Sequence, residues 1–157
     1  MPETRIPVLI LGVGNILFTD EGIGVRAVQH LRDHATLPPG VELLDGGTLG
    51  GRLMDAILSC RRLIVLDAVL GDGAPGTIYR LEGEDLRKSL SFRDSLHQTD
   101  LVDTLVYCDL IGSRPETVVF GMEPADYQSM GTELSPACAA RLPELAECAL
   151  REARRGA

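Results

Sequence analysis

Two uninterrupted apolar runs, Val8-Leu-Ile-Leu11 and Leu63-Ile-Val-Leu66, limit this chain more than any other feature. A strand with one solvated face alternates apolar and polar side chains, whereas a continuous aliphatic run belongs to a strand covered on both faces. Segments with helical spacing separate such strands. Asp20 to His34 places Ile23, Ala27, Val28 and Leu31 on one face, and Thr99 to Leu110 turns Leu101, Val102, Leu105 and Val106 inward. Leu49 to Leu58 reads as a short helix. Ser135 caps a last helix with Pro136 at its first position, carrying Leu142, Leu145, Ala146, Ala149, Leu150 and Ala153 at 3.6 spacing. Further strands read at Val41–Leu44, Thr77–Leu81 and Thr117–Met122, with an edge position open to Thr77–Leu81, and Glu84–Leu90 reads as a helical turn. This alternation predicts an α/β three-layer sandwich, a largely parallel sheet with helices on both faces.

The 157 residues form a single domain spanning 1–157. Aromatic residues are only 4% and Trp is absent, so Leu, Val, Ile and Ala must fill the core, which suits an α/β sandwich better than an all-β fold. A formal net charge of −8 argues against nucleic acid and anionic membranes as partners. No apolar run approaches the ~18 residues needed to cross a bilayer, and Met1 to Pro7 does not read as a signal peptide, so a cytoplasmic protein is expected. The cysteines, Cys60, Cys108, Cys138 and Cys148, form no CxxC pair and no zinc-finger spacing. Cys108 and Cys148 fall on apolar helix faces and read as small hydrophobes rather than catalytic thiols.

In open parallel sheets the working groups gather beyond the carboxyl ends of the strands. Gly12-Val-Gly14 after the first strand is a weak dinucleotide signal: the third glycine position is Leu17, and Asp20 and Glu21 would repel a pyrophosphate. Acidic residues at a helix start complement its dipole, but one suffices, which leaves the second for another use. Asp45-Gly46-Gly47-Thr48 follows the second strand, as a turn with Thr48 capping, as a place of close approach for a partner chain, or as both. Asp67 ends a buried strand, where a carboxylate is costly unless it is paired or metal-bound. His97 lies in a polar stretch before a helix. Glu21, Asp67 and His97 thus fall on one predicted edge of the sheet, and two carboxylates with an imidazole suit a divalent ion. Glu123 is a third carboxylate near that edge and reads as a loop residue.

The order Leu-Ile-Leu-Gly12-Val-Gly14-Asn15-Ile-Leu-x-x-Asp20-Glu21-Gly22-Ile-Gly24-Val25-Arg26 resembles the amino-terminal signature of the nickel–iron hydrogenase maturation endopeptidases. Asp45-Gly46-Gly47-Thr48, Leu-Asp67-Ala and Ser-x-His97-Gln98 match that family's later blocks, in order, over nearly the full length. The resemblance implies a five-stranded sheet and a metal-contacting site of Glu21, Asp67 and His97. It implies removal of a short C-terminal extension from the hydrogenase large-subunit precursor, after nickel insertion. Nickel carried by the substrate would be the recognition element, with no intrinsic metal cofactor, although a divalent ion could take the site in crystals. Asp45, Gly46, Gly47 and Thr48 would meet the substrate. No Ser/His/Asp or Cys/His triad is visible, so a carboxylate or a nickel-polarised water stands as the candidate attacking group, with Glu21 or Asp67 as the candidate base. A non-catalytic nickel-checking chaperone of the same large subunit would use the same residues.

Overall fold

The computed structural model describes residues 6–46, 52–89 and 115–155. Five strands form one sheet: β1 (Ile6–Gly12), β2 (Val41–Asp45), β3 (Cys60–Ala68), β4 (Ile78–Leu81) and β5 (Glu116–Met122). Their order across the sheet is β2-β1-β3-β5-β4. All neighbours run parallel except β4, which pairs antiparallel with β5 at the edge. Among the described residues the α-helices are α1 (Ile23–His34), α2 (Arg52–Leu58) and α3 (Pro136–Arg154). The expected helix at Thr99–Leu110, Cys108 included, lies outside the described residues.

The apolar runs divide residue by residue between two cores, as a doubly covered strand requires. Val8 and Ile10 of β1, with Ile64 and Leu66 of β3, pack with Ile23, Ala27, Val28 and Leu31 of α1 and with Leu145, Ala149 and Leu150 of α3. Leu9, Leu11, Leu63 and Val65 face the other way, toward Ile57 of α2 and Leu86. The large side chains of these runs are almost fully buried, and each contributes about 1.5–3 kcal/mol by leaving water. Cys60 and Cys138 are buried in these cores, and Cys148 packs against one of them, the small-hydrophobe role expected of Cys148.

α1 begins later than its periodicity predicts. Thr19–Gly22 is a separate 3₁₀ turn, and the α-helix starts at Ile23. The helix packs closely from its second residue: a Cβ on Gly24 would lie 1.9 Å from the Leu66 carbonyl oxygen and 2.5 Å from that of Val13. Only a residue without a side chain lets the first turn of α1 rest on the strand backbone. That contact carries the preceding turn, with Asp20 and Glu21, over the carboxyl ends of β1 and β3.

At the opposite end of the sheet, Glu152 of α3 takes Arg62 of β3 and Arg80 of β4, each at 3.2 Å. Glu152 is buried, and its bond to Arg80 raises that guanidinium's already high pKa, with Glu82 adding to the effect. The last helix is thereby tied to two strands at once.

Candidate active site

Strand register brings the expected groups to one edge. Gly12 at the end of β1 stands opposite Asp45 of β2 on one side and Leu66 of β3 on the other. Asp67, one residue further along β3, stands opposite Gly121 of β5. Gly14 then turns the chain with φ +122°; a Cβ there would lie 1.9 Å from the Glu21 carbonyl oxygen and 3.9 Å from Asp67 Oδ1. The backbone of Glu21 and the carboxylate of Asp67 therefore converge on Gly14.

The two acids sit differently. Asp67 is fully buried and its Oδ2 accepts a short hydrogen bond from the Ser89 hydroxyl. Val69 bridges to Ser89, and the Leu70 amide donates to the Lys88 carbonyl at 2.9 Å, which holds Ser89 over the strand end. Glu21 is half-buried in the 3₁₀ turn, its amide bonded to the Phe18 carbonyl at 3.0 Å. Asp45 is half-buried at the end of β2. A Cβ on Gly46 would meet Leu11 Cδ1 at 2.8 Å and Gly12 O at 3.2 Å, so this glycine lets the chain approach its own first strand. Gly47, Thr48 and His97 lie outside the described residues. Among the described residues no three His, Cys, Asp or Glu side chains form a metal-holding group.

Asp20 has a role other than complementing the dipole of the helix that follows it. It is fully buried, and Oδ2 accepts from the Ala125 amide at 2.9 Å, the Asp126 amide at 3.1 Å and the Ser135 hydroxyl at 2.8 Å. Oδ1 accepts from the Ser135 amide at 2.8 Å. Ser135 does occupy the N-cap of α3, but makes no side-chain cap bond, because its hydroxyl is spent on Asp20. The carboxylate thus serves the amino end of the last helix, where its charge is favourable.

A match to the family model for hydrogenase maturation protease extends over residues 25–152. This chain belongs to that family. It is therefore a hydrolase of peptide bonds, and the fold is shared by solved members. The hydrogenase maturating endopeptidase HybD of Escherichia coli superposes with a TM-score of 0.83 at 36% identity, covering 94% of this chain and 92% of that one. The hydrogenase expression/formation protein HupD of Thiocapsa roseopersicina is 37% identical over 145 residues, 91% of this chain and 66% of that protein. The hydrogenase 2 maturation protease of Escherichia coli K12 is 42% identical over 110 residues, 69% of this chain and 67% of that protein.

Around this hydrogenase maturation protease site, sequence reasoning missed Ser89, which carried no signal beyond its place after a helical turn. It also read Glu123 only as a loop residue near that edge. Glu123 does follow β5, but it is buried, and its Oε1 accepts from the Gly71 amide at 2.8 Å, the Gly73 amide at 3.1 Å and the Tyr79 hydroxyl at 2.7 Å. It fixes the loop after β3 and so the strand end that carries Asp67.

Burial first, then the bond to Glu123, pushes the Tyr79 phenol above its ordinary pKa of 10.0. The folded state keeps a proton that the unfolded chain loses, so the associated stability is present below pH 10 and falls as pH rises above it. Tyr79→Phe is expected to flatten this alkaline loss, read as the shift in urea midpoint between pH about 8 and about 11. An equal shift in both proteins would show that Tyr79 does not contribute.

Proposed function

We propose that this chain removes the C-terminal extension of a nickel–iron hydrogenase large-subunit precursor after nickel insertion, reading the substrate's own nickel as the signal to cut. The observation that carries this reading is the convergence of Glu21 and Asp67 on Gly14, at the carboxyl edge of the sheet, in a member of this protease family. Asp67, buried and oriented by Ser89, and His97 are the proposed contacts to the substrate's nickel, and they suit a divalent ion. Glu21, less buried than Asp67, takes the proton from the attacking water. The water oxygen bonds to the scissile carbonyl carbon, and the proton passes on to the departing amine. Asp45 and Gly46 border the same edge, and together with Gly47 and Thr48 they are the proposed contacts to the substrate's C-terminal region. In this reading the chain has no metal of its own and works in the cytoplasm. Among the described residues no helix is long and apolar enough to cross a membrane.

The test is incubation of the purified chain with nickel-loaded and nickel-free precursor, followed by intact mass. Loss of a single C-terminal fragment from the nickel-loaded form alone is the expected result. Binding without any mass change would instead mean a nickel-checking chaperone, and equal cutting of both forms would remove nickel from the reading.

A further inference from the structure

Among the described residues two large hydrophobic side chains are left exposed, Leu17 at 51% and Met130 at 79%. They lie 113 positions apart in sequence but side by side in the fold. Phe18 and Gly131 form a parallel bridge, so Leu17 and Met130, one residue back on each strand, are neighbours across it, about 5 Å apart by strand spacing. The Gly131 amide donates to the Leu17 carbonyl and the Thr19 amide to the Gly131 carbonyl, both at 2.9 Å. The Thr19 hydroxyl donates to the Ser129 carbonyl at 2.8 Å.

This ribbon is held from below. Asp20 bonds the Ala125 and Asp126 amides, and its own amide donates to the Asp126 carbonyl at 2.9 Å. Asp126 Oδ1 in turn accepts from the Gln128 and Ser129 amides, both at 3.0 Å. Arg26 of α1 closes the far side by donating to the Thr132 carbonyl at 2.5 Å. Two apolar side chains are therefore presented on a braced platform, where loops left to solvent usually carry polar groups. The platform runs directly into the catalytic turn, since the Glu21 amide bonds the Phe18 carbonyl.

We propose that Leu17 and Met130 form the docking contact for the precursor polypeptide, seating apolar side chains of its C-terminal region next to the bond that Glu21 attacks. This rests on the endopeptidase reading above. Its occupant follows from two facts. The ribbon is continuous with the turn that carries Glu21, so a chain whose scissile bond reaches Glu21 passes beside it. A net charge of −8 on each copy opposes pairing of two such chains, which disfavours self-association as the use of the patch.

The test is the double variant Leu17→Ser with Met130→Ser, assayed for processing of purified nickel-loaded precursor. Both side chains are exposed, so the thermal unfolding midpoint is expected to stay within about 2 °C of the parent. KM is expected to rise about tenfold or more, from losing two apolar contacts, with kcat falling by less than about twofold. Leu17→Met with Met130→Leu, which keeps an apolar surface, is expected to retain the parental KM. Glu21→Gln, run alongside, separates the two claims. If it abolishes processing while the serine variant keeps the parental KM, the docking proposal is overturned and the endopeptidase reading stands. If Glu21→Gln processes at the parental rate, Glu21 is not the base and the docking contact placed beside it is overturned; if the parental protein leaves nickel-loaded precursor at its intact mass, the endopeptidase reading itself fails. A parental protein that is dimeric by light scattering, with a monomeric serine variant, would make the patch a self-interface and also overturn the proposal.

Discussion

Replacing Glu21 with Gln is expected to leave a folded protein that binds nickel-loaded precursor but cuts it about 10²–10⁴-fold more slowly, the usual cost of removing a general base. Gln keeps the length and hydrogen-bonding reach of Glu but cannot take a proton. The turn that presents it is fixed by backbone contacts: the Glu21 amide to Phe18, and the Glu21 carbonyl against Gly14. Stability should therefore change by no more than about 0.5 kcal/mol. Single-turnover assays with excess enzyme, read by mass spectrometry, isolate the cutting step from binding. A rate within about threefold of the parent would eliminate Glu21 as the base and leave Asp67 to be tested in its place.

Asp20→Ala is expected to act through the fold instead. It removes the acceptor for three amides and one hydroxyl, and their unmet hydrogen bonds, even with partial access of water, make a loss of about 3–5 kcal/mol the expectation. For a domain of this size that corresponds to a fall in the melting midpoint of about 10 °C. Asp20→Asn keeps the shape but turns an NH₂ toward donors, so it should lie between parent and Ala. Urea unfolding followed by circular dichroism measures both, and a loss below about 1 kcal/mol for Ala would mean that the loop finds other partners.

The contrast between these neighbours shows what could be read without a structure. β1 and β3 are legible because burial on both faces leaves a mark in four consecutive residues, and the parallel arrangement follows from the helices between them. The convergence of the Glu21 turn with Asp67 was legible from the strand-end rule, reinforced by the family resemblance, because chain topology alone delivers strand ends to one edge. Asp20 was not: its partners at Ala125, Asp126 and Ser135 are more than 100 residues away, and nothing local separates a carboxylate that serves its own helix from one that serves another. Glu123 was obscured for the same reason, since it looks like an exposed loop acid until Tyr79, Gly71 and Gly73 are brought beneath it. The start of α1 was misplaced because 3.6 periodicity cannot distinguish a 3₁₀ turn from the first turn of a helix.

The Asp20 bonds also order events during synthesis. Residue 20 emerges from the ribosome early, whereas the donors that fix its turn are not complete until Ser135 has followed, and α3 must then dock on α1. A nascent chain that has made β1, α1 and β3 still lacks the groups that secure the Thr19–Gly22 turn. Closing so long a loop costs entropy before any contact compensates it, so this step belongs to the end of folding. The Thr19–Gly22 turn is secured only after Ser135 has been released, and a truncated product that ends before Ser135 retains the acidic residues without the framework that aims them.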